Sequence, residues 1–119
     1  GNTIIVVGKS EPKTYAACVV SATARLDVNH TVRRILGVRR LSFASPEQTQ
    51  EVTKMSIGGV TVFGLPSDLP IYLDPNLRNL DYVILGSGSR HGKLKLNPVE
   101  LEKIPNAMFV DGLANEGNR

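Results

Sequence analysis

Residues 45–66 read SPEQTQEVTKMSIGGVTVFGLP, and no other stretch of the chain says more about its architecture. The first half starts like a helix, because Ser45 can cap the backbone, a proline follows at the first helical position, and Gln48 can complete a capping box. We expect this helix to run to about Lys54. The second half, Ile57–Pro66, sets three glycines and a proline among bulky apolar residues.

The glycine segment, Ile57–Leu65, is where we expect a small pocket in which the function resides. Glycine permits positive φ and a close approach of a ligand to the backbone. The exposed amides of such a loop can then bind a carbonyl or carboxylate oxygen without any side chain. A bulged strand, or a turn between sheet and helix, needs the same residues. The segment by itself therefore leaves a pocket and a purely structural turn open.

Short apolar and β-branched runs on both sides of this stretch predict strands. Thr3–Val7 and Thr14–Thr23 flank the polar turn Gly8–Lys13 and predict a hairpin. Asp27 is a good N-cap for a helix that Gly37 ends. Further strands are predicted at Val38–Phe43, Pro70–Asp74, Tyr82–Leu85, Lys93–Leu96 and Ala107–Val110.

A second capped helix is predicted to start at Asn97 and to end before Pro105, and the polar tail after Leu113 is expected to fray. Several connections are too short for parallel crossovers. We therefore expect an α/β protein of the α+β type, with a mixed, largely antiparallel sheet and a few packed helices.

The length of 119 residues suits a single domain, 1–119. Since Thr3–Val7 already reads as a core strand, we expect the natural protein to carry an N-terminal segment before Gly1. No apolar run approaches the roughly 20 residues needed to cross a bilayer, so no membrane is expected as a partner. The single cysteine, Cys18, lies in an apolar run and is expected to be a buried thiol in a reducing, cytoplasmic compartment.

Few residue patterns for catalysis are present. The two histidines, His30 and His91, form no ligand-spaced pair, so no metal is predicted. Neither a P-loop nor a dinucleotide fingerprint occurs, and Gly86-Ser87-Gly88 is typical of a hairpin turn rather than of a nucleophile elbow. The formal net charge of +3 is unevenly placed. Its two clusters, which predict either solvated faces or phosphate contacts, are Arg33, Arg34, Arg39 and Arg40, and Arg90, His91, Lys93 and Lys95.

Four parts of the chain resemble the YbaK/EbsC family, which comprises the editing insert of prolyl-tRNA synthetase and its free-standing relatives. They are the hairpin Asn2–Val7 with Ala16–Val20, the stretches Arg25–Asn29 and Leu36–Arg40, the run Phe43–Thr53 followed by Gly58–Gly64, and the turn Gly86–Arg90 followed by Lys93-Leu94. The glycine segment placed after the Ser-Pro-Glu helix is the specific part of this resemblance.

The resemblance implies the fold of the prolyl-tRNA synthetase-associated domain and hydrolysis, in trans, of the ester of a mischarged tRNA carrying a small amino acid such as Ala or Cys. Mischarged tRNA is the implied partner, an aminoacyl-tRNA synthetase is a further one, and no cofactor is implied. The ribose and phosphate at the tRNA terminus are expected to help activate water, which would explain why the chain shows no conventional base.

The resemblance also implies site residues. Catalytic roles fall to Asn2, which orients the substrate end, and to Gly58 and Gly59, which contact the substrate through the backbone. Substrate binding falls to Val60, Thr61, Val62, Phe63, Gly64, Gly88, Ser89 and Arg90.

Two residues depart from the family pattern. Val62 stands where a proline is expected, and Asn2 occupies the position of a key lysine. A neutral amide can hydrogen-bond a phosphate or a carbonyl but supplies no charge, unless a cation such as Arg90 or Lys93 compensates. A non-catalytic module that binds tRNA or an aminoacyl group is therefore the alternative to a deacylase, and a small-molecule ester or amide hydrolase is a third possibility.

Overall fold

The computed structural model describes residues 2–9, 13–21, 24–54, 65–66, 68–86 and 93–116. The strands in these residues are β1 (Asn2–Gly8), β2 (Thr14–Val20), β3 (Ala24–Leu26), β4 (Leu41–Phe43), β5 (Ile71–Leu73), β6 (Val83–Gly86), β7 (Lys93–Leu96), β8 (Ala107–Phe109) and β9 (Ala114–Glu116). The helical elements are a π-helical turn (Val28–Val32), α1 (Arg33–Leu36), α2 (Pro46–Thr53) and two 3₁₀ helices (Pro75–Asn79 and Pro98–Lys103).

The central sheet has five strands in the order β4-β1-β2-β5-β8. Strand β1 runs antiparallel to β2 and β4, whereas β5 runs parallel to both β2 and β8. The pairs β3–β9 and β6–β7 are antiparallel and lie outside this sheet. Most pairings are antiparallel, which confirms the predicted mixed, largely antiparallel architecture. The two parallel pairings use connections long enough for a crossover.

The predicted hairpin of β1 and β2 forms the centre of the sheet, although β2 ends at Val20 rather than continuing further. Both faces of the hairpin are covered. Ile5 and Val19 enter one hydrophobic cluster, while Val6 and Cys18 enter a second cluster on the other face. Double coverage explains why these strands read as nearly continuous apolar runs instead of alternating ones.

Both predicted helix starts in the first half of the chain are confirmed. The Asp27 side chain accepts a hydrogen bond from the His30 backbone N–H at 3.3 Å, and Gly37 at φ 69° ends α1. At α2, the Ser45 hydroxyl accepts from the Gln48 N–H at 3.1 Å, and the Gln48 side chain accepts from the Ser45 N–H at 2.9 Å. These caps depend on local sequence alone, so they were predictable from it.

Two predicted elements are shorter or tighter than expected. The strand predicted over Val38–Phe43 is reduced to β4, because the Val38 N–H donates to the Arg33 carbonyl of α1 and pairing with β1 reaches only to Leu41 opposite Gly8. The helix predicted from Asn97 is a 3₁₀ helix, capped by the Asn97 side chain through the Val99 N–H at 3.0 Å. Six residues before Pro105 suit the tighter helix, which is used in short pieces.

The prediction that the tail frays after Leu113 was wrong for residues 114–116, and residues 117–119 lie outside the described ones. Ala114–Glu116 forms β9 and pairs with β3 in an antiparallel register. The Asp27 N–H also donates to the Leu113 carbonyl at 2.7 Å, and Leu113 is fully buried. The 3₁₀ helix at Pro75–Asn79 was not predicted at all, although Asp74 caps it by accepting from the Asn76 N–H at 3.1 Å.

Candidate functional site

Asn2 lies exposed at the start of β1, directly opposite Val20 at the end of β2. Strand β5 runs parallel to β2, and the Asp74 N–H at its end donates to the Val19 carbonyl at 3.0 Å. The start of β1 therefore lies beside the ends of β2 and β5. We call this edge the Asn2 end of the sheet and define it by Asn2, Thr3, Ser21 and Asp74.

Three buried side-chain oxygens at the Asn2 end have no hydrogen-bond partner among the described residues: Thr3 Oγ1, Ser21 Oγ and Asp74 Oδ2. Asp74 is only 2% exposed, and its other oxygen is used to cap the following 3₁₀ helix. A buried acceptor without a donor costs roughly 1–3 kcal/mol. Such unpartnered oxygens at one edge of the sheet indicate a candidate site, with Thr3 and Ser21 on one face and Asp74, two residues after Tyr72, on the other.

Described residues near both ends of the glycine segment pack on one face of the central sheet. Val52 in α2 and Leu65, the last residue of the segment, pack against the hydrophobic cluster that contains Ile5 and Val19. Side chains two residues apart in a strand share a face, so Thr3 and Ser21 belong to the face of Ile5 and Val19. The segment therefore leaves and rejoins the described fold on the face that carries two of the unpartnered oxygens.

The loop residues predicted for the site lie outside the described residues, and their roles stay a prediction. They are Gly58, Gly59, Val60, Thr61, Val62, Phe63, Gly64, Gly88, Ser89 and Arg90. The strands that flank the second loop form the predicted hairpin, in which Gly86 pairs with Lys93. Strand β6 of that hairpin contacts β1, so the hairpin itself lies beside the central sheet.

At the opposite end of β1, five side chains that are cations or can become so line a groove of about 420 Å³ together with Leu41. We call it the cationic groove; its basic residues are Lys9, His30, Arg33, Arg39 and Arg40. Three of the four clustered arginines predicted from the sequence therefore share one surface. Arg34 is exposed but does not line the groove.

The sequence of this chain matches a known protein family. A family model described as the aminoacyl-tRNA editing domain matches residues 2–104. The chain belongs to the aminoacyl-tRNA editing domain family. The matched range includes the Asn2 end, α2, the glycine segment and the cationic groove.

Individual relatives agree with this assignment. The editing domain is 35% identical over 86 residues to YwhH of Bacillus subtilis (strain 168), a match covering 72% of this chain and 54% of that protein. The chain thus spans about half the length of this curated relative. It is 30% identical, with a TM-score of 0.81, to a solved structure described as a candidate trans-editing enzyme for prolyl-tRNA synthetase, covering 98% of this chain and 69% of the other. A hypothetical protein, APE2540, shares the fold at a TM-score of 0.82 and 24% identity, covering 95% of this chain and 72% of the other.

The thiol of the editing domain is not placed for nucleophilic catalysis. Cys18 is fully buried in the middle of β2, and desolvation raises the pKa of its thiol to about 12. Since the thiolate is the nucleophilic form, this cysteine stays protonated and inert at neutral pH. It is a core residue, as predicted.

Thr31, Asp27 and His30 have the composition of a catalytic triad but not its geometry. The Thr31 hydroxyl and the His30 ring both contact the same Asp27 carboxylate, at 3.1 and 3.3 Å. A triad needs the histidine between the hydroxyl and the carboxylate. These contacts therefore cap the helical turn. Within the described ranges, no group of three or more potential metal ligands occurs in the editing domain, and no helix there is long and apolar enough to cross a membrane.

Thr3, Ser21 and Asp74 were missed as site residues because their position depends on strand pairing. Only Asp74 carries a sequence signal, since an Asp before a proline is typical of a helix N-cap. Lys9 was likewise not grouped with the arginines. It reaches them because the Lys9 N–H donates to the Arg40 carbonyl at 3.1 Å, beyond the last paired residues of β1 and β4.

Proposed function

We propose that this chain hydrolyses, in trans, the ester between a small amino acid such as Ala or Cys and the 3′ end of a mischarged tRNA. Membership of the aminoacyl-tRNA editing domain family over residues 2–104 carries the proposal. The similarity to a candidate trans-editing enzyme for prolyl-tRNA synthetase supports it. The proposed setting is the cytoplasm, with mischarged tRNA as the substrate and an aminoacyl-tRNA synthetase as the source of that substrate.

A separate hydrolytic site of this kind has a physical reason to exist. One methylene in a hydrophobic pocket separates two amino acids by only about 1–3 kcal/mol, so a synthetase site alone admits smaller amino acids. A second, smaller pocket can accept those amino acids and exclude the correct, larger one. Backbone walls built of glycines, as predicted for the glycine segment, suit a pocket of that size.

The Asn2 end supplies complementary groups for such a substrate. The Asn2 side-chain amide is exposed and can donate to an ester carbonyl or to a phosphate oxygen. The unpartnered oxygens of Thr3, Ser21 and Asp74 can accept from the ammonium group, from ribose hydroxyls or from the attacking water. Hydrolysis also needs donors for the developing oxyanion, a role we assign to the backbone amides of Gly58 and Gly59.

A deacylation assay over a panel of tRNAs charged with Ala, Cys, Ser and Pro tests the proposal. We expect hydrolysis above the no-enzyme rate for the small amino acids and none for proline. Thr3→Val removes one unpartnered hydroxyl with little change of shape, and it is expected to slow hydrolysis. Thr14→Val, at the other end of the hairpin, is the matched control and should leave the rate unchanged. Absence of hydrolysis for every charged tRNA would contradict the proposal.

A binding-only relative is the second candidate, and Asn2 is the observation that favours it. A neutral side chain at the position of the family lysine removes a charge that would hold a phosphate or stabilise the transition state. In this case every aminoacyl ester of the panel would be hydrolysed only at the spontaneous rate, while the protein would still bind tRNA at equilibrium.

A further inference from the structure

The cationic groove concentrates positive charge at one surface of the domain. Lys9, Arg33, Arg39 and Arg40 are cationic side chains, His30 lies beside them, and all five residues are exposed. Among the described residues that line the groove, none is acidic. Bringing four cations together costs self-repulsion, and a bound anion would offset this cost.

Hydrogen bonds to backbone carbonyl groups hold the groove in place. The Arg33 guanidinium donates through Nη1 to the Arg39 carbonyl at 3.2 Å, and the Lys9 N–H donates to the Arg40 carbonyl at 3.1 Å. Gly37, at φ 69°, turns the chain back after α1. The loop that carries two of the arginines is therefore fixed between α1 and β1 before any ligand binds, which lowers the entropic cost of binding.

The chemistry of the groove identifies phosphate as its ligand. Guanidinium groups match the geometry of phosphate oxygens through paired N–H donors, and three of the cations are arginines. The groove is open, so it suits a backbone that continues on both sides better than a small enclosed metabolite.

The position of the groove fits a nucleic-acid strand that also reaches the candidate active site. Asn2 and Gly8 are the two ends of β1, and at about 3.3 Å per residue they are separated by roughly 20 Å. A strand of a nucleic-acid helix carries one phosphate per about 3.4 Å of axis, so this distance corresponds to on the order of six phosphates. A tRNA whose acylated end lies at the Asn2 end can place its stem backbone in the groove.

We propose that the cationic groove binds the sugar-phosphate backbone of the tRNA whose 3′ end enters the site at the Asn2 end. This inference rests on the proposed function for the identity of the RNA. It assigns substrate docking to residues about 20 Å from the reacting ester, at the other end of β1.

The test compares two double variants with the same loss of charge. Arg39→Gln/Arg40→Gln removes two groove cations, whereas Arg25→Gln/Arg34→Gln removes two exposed arginines outside the groove. Binding of uncharged tRNA is measured against salt concentration. The groove variant should bind about tenfold more weakly. The slope of log K against log salt concentration should become shallower by about 2, since each of the two lost phosphate contacts contributes about 0.9 to it. The control variant should retain most of the affinity and slope.

Kinetics give an independent readout. For full-length mischarged tRNA, the groove variant should raise KM and leave kcat unchanged. For an aminoacylated dinucleotide, which is too short to reach the groove, both variants should match the wild type. The single variants Arg39→Gln and Arg40→Gln, each with a smaller loss, make the same test if the double variant does not fold.

Two outcomes would overturn the inference: an equal loss of binding in both double variants, or an unchanged KM for full-length tRNA in the groove variant. Failure of the proposed function looks different. In that case tRNA binding would depend on the groove but no mischarged tRNA would be hydrolysed.

Discussion

Gly8 packs directly beneath Val38: a Cβ atom placed on Gly8 would lie 2.8 Å from Cγ1 of Val38. The side chain of Val38 occupies the space that any larger residue at the end of β1 would need. This contact seats the loop that carries Arg39 and Arg40 on the edge of the sheet. The absence of a side chain at Gly8 therefore allows the loop that carries Arg39 and Arg40 to pack in this position.

We expect Gly8→Ala to destabilise the protein by about 1–3 kcal/mol, the usual cost of forcing extra atoms into a packed contact. Since Val38 is stiff at its β-branched carbon, the loop has to shift instead of the side chain. Chemical denaturation measures the loss. The double variant Gly8→Ala/Val38→Ala frees the space and should recover part of it, whereas additive losses would show that the contact is not the cause.

At the Asn2 end, Asp74→Asn separates stability from function. The amide oxygen of Asn can keep the cap on the Asn76 N–H, while its NH₂ group replaces the acceptor Oδ2, which has no donor among the described residues. The unfolding free energy is expected to stay the same or to rise. Deacylation should fall about tenfold, the loss of roughly one hydrogen bond to the substrate or water.

Two further variants control this experiment. Asp74→Ala also removes the cap and should lower the unfolding free energy by about 0.5–2 kcal/mol. Asp111→Asn, the same change at an exposed residue, should alter neither quantity. Unchanged deacylation in Asp74→Asn would exclude the oxygen from the reaction.

At Asn2, restoring the family's lysine is expected to increase activity. Asn2→Lys places a cation where we propose that the substrate's phosphate or developing negative charge lies, and a charge-assisted hydrogen bond is roughly twice as strong as a neutral one. We expect kcat/KM to rise about tenfold, which corresponds to about 1.4 kcal/mol. Asn115→Lys, the same change at the exposed residue of β9, is the control.

The starting activity of the wild type determines what the result means. Activity created in a protein that had none would favour the binding-only candidate for the natural chain. A wild type that is already active and gains nothing would show that the neutral amide is sufficient.

Acid should weaken the helix start at Asp27. Partial desolvation alone would raise the pKa of this carboxyl group, but hydrogen bonds from Thr31 and His30 and the charge of His30 lower it overall. A lowered folded-state pKa means that the stabilisation is complete above the unfolded value of about 3.9 and is lost as pH falls through the folded value.

The measurement is the unfolding free energy of the wild type and of Asp27→Asn between pH 7 and pH 3. Asn caps a helix nearly as well as Asp but does not titrate. The stability advantage of the wild type over this variant should therefore shrink towards the acidic end. A constant difference across the range would contradict the prediction.

Features that depend on residues close together in the chain were predicted from the sequence, whereas features that depend on distant residues were not. The caps at Ser45 and Asp27 each involve residues within four positions, and both were predicted correctly. By contrast, the pairing of β3 with β9 brings Ala24 opposite Glu116. No local pattern in three-residue strands encodes such a partner.

The candidate site shows the same division. The family resemblance predicted site roles for Asn2 and for the glycine segment. The family is confirmed, and these roles stay a prediction. The unpartnered oxygens of Thr3 and Ser21 become visible only when the pairing of the strands is known, because nothing in a lone Thr or Ser indicates a buried hydroxyl. The cationic groove likewise needed the β1–β4 pairing to add Lys9 to the arginines.

The closure of β3 by β9 sets an order for folding during synthesis. The single proton of the Thr31 hydroxyl is shared between the Asp27 carboxylate and the Gly112 carbonyl, at 3.1 and 3.0 Å, so the late segment also contacts the helical turn that leads into α1. Ribosomes release chains from the N-terminus, and contacts between distant parts of a sequence form slowly. A nascent chain would thus expose an unanchored α1 until residues 112–116 emerge, and the cationic groove would be completed among the last parts of the domain.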